Sequence, residues 1–213
     1  MPSWNIHLEA GERLAKKLKF SGAKRNEFLL GCLLPDINNG YINKVGIEKP
    51  HEETHYAFDN KSSLNFYADY KNEIDEKEPL YLGYLLHLYT DGYFNYDFYR
   101  KIKHSKIGKN LTHEEKREIK HHDYWIYDTN FHHQLGLTDH AEARRLAKLA
   151  NQIASTEITA EDLEDVERIM TNKKLCLAMQ GKPYLFYSKK DLDQLLDDML
   201  QSFSKDYLGG DHA

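Results

Sequence analysis

The chain contains little that would point to an extracellular scaffold, a membrane protein or a nucleic-acid platform. Two cysteines, Cys32 and Cys176, are too few for a disulfide framework, and neither sits in a Cys-x-x-Cys pair. Zinc-finger chemistry is therefore excluded, and both are expected to be reduced, buried residues of a cytosolic protein. No run of about 18 apolar residues is present. The nearest stretch, Leu80 to Phe98, carries His87, Asp91, Asn95 and Asp97, which is too polar for a membrane span. The opening Met1-Pro2-Ser3-Trp4-Asn5-Ile6-His7 lacks the basic-then-apolar pattern of a secretory signal, so a cytoplasmic location is expected. A net charge of −5 gives no strong nucleic-acid signal. Alternating strand patterns, internal repeats and low-complexity tracts are all missing.

What remains is an ordinary globular composition, 40% hydrophobic and 30% charged over 213 residues, which suits one domain with one core. Two residue types are plentiful. Fifteen tyrosines suit a core that encloses polar groups, and twelve histidines offer metal ligands. Eleven of those histidines precede residue 141; His212 is the exception.

The periodicity predicts an all-α, single-domain multi-helix bundle. Ser3 can cap a helix running to about Phe20, with Trp4, Leu8, Gly11, Leu14, Ala15 and Leu18 on one face. A second helix is predicted from Lys24 to Leu33, ending near Pro35. Asn38-Asn39-Gly40 reads as a turn and the segment to Pro50 as a loop. A helix or turn follows from His51 to Asn60, and another helix from Ser63 to Lys71. The most apolar helix, about residues 79–103, opens on Pro79 and should be the buried centre of the bundle. Thr112-x-x-Glu115 is a capping box for a helix towards Leu135. Thr138 to Ser155 is amphipathic, and Thr159-x-x-Asp162 and Ser188-x-x-Asp191 cap two charged amphipathic helices. Residues 1–208 are expected to form the domain, with 1–137 as a metal-binding core, 138–208 as helical scaffold, and 209–213 as a flexible tail.

Five places could carry chemistry. His87 and Asp91 lie four apart, on one face of the most apolar helix. A buried carboxylate is costly unless paired or bound to a cation, and an imidazole one turn from a carboxylate suits a divalent metal. A plain buried His–Asp hydrogen bond is the alternative. His7 falls in the middle of the first helix's apolar face, where a lone histidine is more often a satisfied core residue unless other ligands converge on it. Asp36 follows an apolar helix end and Pro35; it is a turn aspartate or a functional one held at the mouth of a core. His51-Glu52-Glu53-Thr54-His55 matches the zinc-peptidase pattern His-Glu-x-x-His, but in an acidic surrounding after Pro50 instead of a long apolar helix. His122-Asp123, with His87 upstream, is reminiscent of HD-type phosphohydrolases; Asp128 is predicted one helical turn before His132. His121, His132 and His133 read as surface histidines.

Taken in order, the Trp4/His7 segment, Leu30-Gly31-Cys32-Leu33-Leu34-Pro35-Asp36, His55, and Gly83-Tyr84-Leu85-Leu86-His87-Leu88-Tyr89-Thr90-Asp91 resemble the zinc-dependent phospholipase C superfamily, which also includes helical single-strand nucleases. The resemblance covers roughly residues 1–130. It implies an all-α fold and a metal-dependent hydrolase of phosphoester bonds. His7, Asp36, His55, His87 and Asp91 would be the ligands, with Asp123 the best remaining candidate and His122 next. Asp36 would also be catalytic, bridging ions or accepting a proton from water. The family's N-terminal tryptophan ligand has no counterpart, since Trp4 is internal, and no later His-x-x-x-Glu pair follows residue 91. The expectation is therefore one or two divalent ions, zinc first, with manganese or iron as alternatives, acting on a small intracellular phosphoester. Three other functions stay open: an HD-type phosphohydrolase, a small zinc peptidase using His51, Glu52 and His55, and a non-catalytic metal-binding helical module.

Overall fold

Helix-forming sequence dominates, and the structure follows it. The computed structural model describes residues 3–39, 45–57, 61–171 and 179–209, and among them there are eleven α-helices and no strand. In chain order these are α1 (Trp4–Lys17), α2 (Ala23–Gly31), α3 (Leu34–Ile37), α4 (His51–Thr54), α5 (Ser62–Asp69), α6 (Lys71–Asp75), α7 (Pro79–His104), α8 (His113–Asp128), α9 (His140–Ala150), α10 (Ala160–Thr171) and α11 (Lys189–Tyr207). A single 3-10 turn, Gly108–Asn110, joins α7 to α8. Gly40 of the expected turn, residues 58–60 of the expected His51–Asn60 element, Cys176, and all of the expected tail after Gly209 lie outside the described residues.

α7 is the hub. Its 26 residues span about 39 Å, and every residue from Pro79 to Leu88 is buried. α1, α2, α3, α5, α6, α8 and α11 all pack against it, with α2 the most extensive neighbour. That crossing is close because glycines meet there. A Cβ on Gly31 would stand 2.2 Å from the Leu80 carbonyl oxygen, and one on Gly83 would stand 2.1 Å from that of Phe28. Basic Lys101, Lys103 and His104 at the end of α7 complement the helix dipole.

The three capping boxes form as expected. Thr112 with Glu115 and Ser188 with Asp191 each exchange side-chain and backbone bonds, and Thr159 and Asp162 do the same at 3.2 and 2.7 Å. Other boundaries differ. Ser3 does not cap α1; its hydroxyl donates to Asp128 instead. The helix expected over 24–33 ends at Gly31, because Pro35 has no N–H and its ring would crowd a continuing helix. The short α3 that starts at Leu34 turns Asp36 inward. The segment expected as one helix over 63–71 ends at Asp69, and α6 begins at Lys71 after Tyr70 departs to φ −123° and ψ 33°. α8 stops at Asp128, not near Leu135. The last carbonyls of the helix are met locally: those of Ile126 and Tyr127 accept the N–H groups of Thr129 and Asn130, at 3.2 and 3.1 Å, and the Asn130 side-chain amide adds bonds of 3.4 and 2.7 Å to the same two. His132 is therefore not on α8, and the Asp128/His132 helical pairing does not form. α9 begins after Asp139, whose carboxylate accepts the Glu142 N–H at 2.9 Å.

Candidate metal centre

Four elements deliver five polar side chains into one buried place. α1 supplies His7, α3 supplies Asp36, the end of α4 supplies His55, and α7 supplies His87 and Asp91. Exposure is 1% for His7, 0% for Asp36 and His87, 3% for His55 and 7% for Asp91, so Asp91 lies nearest the solvent.

The imidazole nitrogens point at the carboxylates. His7 Nε2 is 3.4 Å from Asp91 Oδ1, and His55 Nε2 is 3.4 Å from Asp36 Oδ1 and 3.5 Å from Asp91 Oδ2. His87 Nε2 lies 3.7 Å from Asp91 Oδ2, 4.0 Å from Asp36 Oδ1 and 3.4 Å from His55 Nε2. The His7 and His87 rings stack with centroids 3.8 Å apart. Two overlapping triads, His7–Asp36–His87 and His55–His87–Asp91, each offer one ligand atom per residue with those atoms all within 4.8 Å of one another.

Tautomers are set from behind. His87 Nδ1 is 2.7 Å from the Cys32 carbonyl oxygen, which can only accept. Nδ1 therefore carries the proton, and Nε2 presents its lone pair to the cluster. His55 Nδ1 meets Thr54 Oγ1 at 2.9 Å. Tyr84, fully buried on α7, donates to the Thr54 carbonyl and contacts Ser155 Oγ at 2.9 Å, which fixes the residue before His55. Tyr56, directly after His55, adopts φ 51°, an unusual backbone state for a bulky residue, and turns the chain out of the site.

Electrostatics agree with the geometry. Burial pulls the Asp91 carboxyl upward, but the neighbouring imidazoles of His7, His87 and His55 outweigh it and hold Asp91 well below the usual carboxylate range. Burial likewise opposes Asp36, and His87 and His55 outweigh it there too. Burial, reinforced by the His7 ring, pushes His87 down to about 3, so its imidazole is neutral and ready to ligate.

The fit to a metal rests on unmet bonding. His7 Nδ1 and Nε2, Asp36 Oδ2 and both oxygens of Asp91 are buried without a hydrogen-bond partner of proper geometry. Buried polar atoms are almost always satisfied, so five unsatisfied atoms on three residues of one cluster mark a position shaped for a group that completes them. Three imidazoles and two carboxylates are the donor set of a divalent transition metal.

The other sequence candidates sit elsewhere. Asp123 is buried, but its oxygens accept the backbone N–H groups of Leu185, Phe186 and Tyr187 at 2.7, 2.8 and 2.8 Å. That is a structural anchor, and Asp123 does not join the cluster. His122 binds the Pro183 carbonyl at 3.1 Å, so the His122-Asp123 pair of an HD-type site is spent on the 183–187 segment. His51 and Glu52 are exposed on the one-turn α4; the His51 ring lies 4.1 Å from that of His55, yet His55 Nε2 faces Asp36 and Asp91. The arrangement is not the helical pair of a zinc peptidase. His133 pairs with Glu9 at 2.8 Å. The sequence reading missed Thr54, Ser155 and the Cys32 carbonyl, which orient ligands through contacts 30 to 71 positions apart along the chain or through the backbone itself.

No curated protein and no solved structure matches the chain. A sequence profile of the zinc-dependent phospholipase C family matches residues 6–166, a span that takes in all five clustered residues. The chain belongs to the zinc-dependent phospholipase C family.

Proposed function

We propose that this protein is a metal-dependent hydrolase of a small phosphoester, with His7, Asp36, His55, His87 and Asp91 holding one or two divalent ions, zinc first. The observation that carries the reading is the set of unpartnered buried nitrogens and oxygens on His7, Asp36 and Asp91. A bound divalent ion supplies Lewis acidity, which makes water a nucleophile near neutral pH and draws charge from the phosphoryl oxygens. The chain supplies the rest. His87 and His55 are held in register by the Cys32 carbonyl and by Thr54. Asp36, with Oδ2 unpartnered, stands ready to accept a proton. Asp91, the least buried of the five, marks the side from which a phosphoester approaches.

Residues 138–208 act as a brace within the same domain in this reading. Ser155 bonds Tyr84, and Asn38, next to α3, exchanges bonds of 2.8 and 3.0 Å with the Glu157 backbone. An intracellular setting belongs to the reading as well, supported by the free, buried Cys32. No helix of the described residues is long and apolar enough to cross a membrane.

The test is elemental analysis of purified wild type beside Asp91→Ala, with hydrolysis of bis(p-nitrophenyl) phosphate measured on both. One or two transition-metal ions per chain and slow hydrolysis are expected in wild type, and both should be lost in the variant. Wild type that takes up no metal after addition of zinc or manganese would sink the proposal.

A further inference from the structure

Buried lysines are rare unless paired with a carboxylate, because an uncompensated cation is costly to desolvate. Lys120 on α8 is 5% exposed. Its Nζ donates to the neutral Asn95 Oδ1 at 2.7 Å and stands 5.2 Å from the centre of the Tyr99 ring. Among the described residues no carboxylate pairs with it. Burial and Arg117 oppose its charged form, while the Asp91 carboxylate favours it.

The register of α7 explains this. Asn95 lies one helical turn after Asp91 and Tyr99 one turn after Asn95, so the three share a row along α7. α8 lays Lys120 against the Asn95–Tyr99 part of that row. Gly92 sits beside Asp91, exposed in the helix interior, and a Cβ there would meet nothing within 4 Å. A mid-helix glycine without a packing reason is unfavourable relative to alanine. Its effect here is to leave the rim beside Asp91 unobstructed. The least buried carboxylate of the cluster, an open rim and a buried cation without a carboxylate partner therefore follow one another along two turns of α7.

We infer that Lys120 is the anion-positioning residue of this site, binding a non-bridging oxygen of the phosphoryl group through its ammonium while Asn95 and Tyr99 hold it in place. A lysine suits this role as a compact charge that meets phosphate without requiring a planar bidentate geometry. Asn95 solvates the ammonium without neutralising it, so the charge stays available to a ligand.

The inference rests on the hydrolase reading, and its test separates the two. Inorganic phosphate is titrated calorimetrically into the zinc-loaded protein for wild type and Lys120→Met, with metal content and melting temperature measured on both. Methionine fills a similar volume and removes a buried charge, so the fold should hold. The expected result is unchanged metal stoichiometry with phosphate affinity weakened about tenfold or more. In hydrolysis of bis(p-nitrophenyl) phosphate, KM should rise more than kcat falls. Asn95→Asp, which keeps the lysine but gives it a counter-ion, should weaken phosphate binding similarly and serves if the methionine variant does not fold. Wild type without metal overturns the hydrolase reading alone; the phosphate difference between wild type and Lys120→Met still decides the role of Lys120. Phosphate affinity equal within about twofold in wild type and both variants overturns the inference.

Discussion

Gly31 of α2 and Gly83 of α7 face each other where the two helices cross, each with a neighbouring carbonyl oxygen in the place a Cβ would take. The contact sits one turn before His87 and one residue before Cys32, whose carbonyl holds the His87 ring. Helix propensity alone favours Gly83→Ala by about 1 kcal/mol. The 2.1 Å approach to the Phe28 carbonyl reverses the sign, since neither backbone can yield without parting the helices. Gly83→Ala should destabilise the protein by about 1–3 kcal/mol and weaken zinc binding at the same time. Chemical denaturation and a zinc titration test this; a variant as stable as wild type would show that α2 and α7 are free to separate.

His7 should trade stability for binding. Its ring is buried, stacked on His87, and both nitrogens lack a hydrogen-bond partner. Phenylalanine fits a stacked, apolar slot and removes two unsatisfied polar atoms. Metal-free His7→Phe is therefore expected to melt at or above the temperature of metal-free wild type. The rise in melting temperature on adding zinc should shrink, since one ligand is gone. If the variant melts lower without metal and shows the full zinc response, His7 is a core residue and not a ligand.

The metal-free protein should be acid-labile from near neutrality. An unfolded histidine takes its proton near pH 6.5, whereas buried His87 does so only at about 3. Between those values the unfolded state holds one more proton, so stability falls as pH falls, by about 1.4 kcal/mol per pH unit. Asp36 and Asp91, both held below the usual carboxylate range, act in the same direction at lower pH. Their stabilisation is present above about pH 4 and is lost as pH drops through their depressed values. Urea midpoints of zinc-free protein from pH 7 to 4 should decline steadily, and a flat profile would contradict the burial of a neutral His87.

The helical architecture, and the His87–Asp91 pair within the cluster, were legible because the signals were local, whereas His7 and His55 entered as candidate ligands through the resemblance to the phospholipase C superfamily. His87 and Asp91 share one helix face, Pro35 marks the break that turns Asp36 inward, and the capping boxes at Thr112, Thr159 and Ser188 are four-residue patterns. What escaped was non-local or backbone chemistry. Ser155 supports Tyr84 from 71 positions away, and the Cys32 carbonyl carries no side-chain signature at all. Nor does the sequence show that Tyr84 lies fully buried behind Thr54. Asp123 looked like a ligand because His-Asp tandems resemble metal motifs, and only the path of residues 185–187 reveals its backbone acceptors.

The shell behind His55 should matter more for metal than for stability. Tyr84→Phe removes the hydroxyl that bonds the Thr54 carbonyl and Ser155 while keeping the ring stacked on Phe66 at 4.4 Å. The stability cost should be about 1–2 kcal/mol, as for a buried acceptor left unpaired. Zinc affinity should drop about tenfold, the usual effect of loosening a ligand's support. Unchanged zinc affinity would mean that Thr54 and His55 are positioned by their own segment.

Asp123 should show the opposite pattern. Three backbone N–H groups converge on its carboxylate, one of them the buried amide of Tyr187. The Tyr187 hydroxyl in turn donates to Asp97 at 2.9 Å, tying this segment to α7. Asp123→Ala strands those donors together and should cost about 2–4 kcal/mol. Nothing in the cluster of His7, Asp36, His55, His87 and Asp91 touches Asp123, so folded variant should carry the same zinc stoichiometry and affinity as wild type. Metal analysis at a temperature well below the variant's melting point separates the two roles. Loss of an ion from a folded Asp123→Ala protein would return this aspartate to the ligand set; full metal content with lowered stability fixes it as the anchor of residues 185–187.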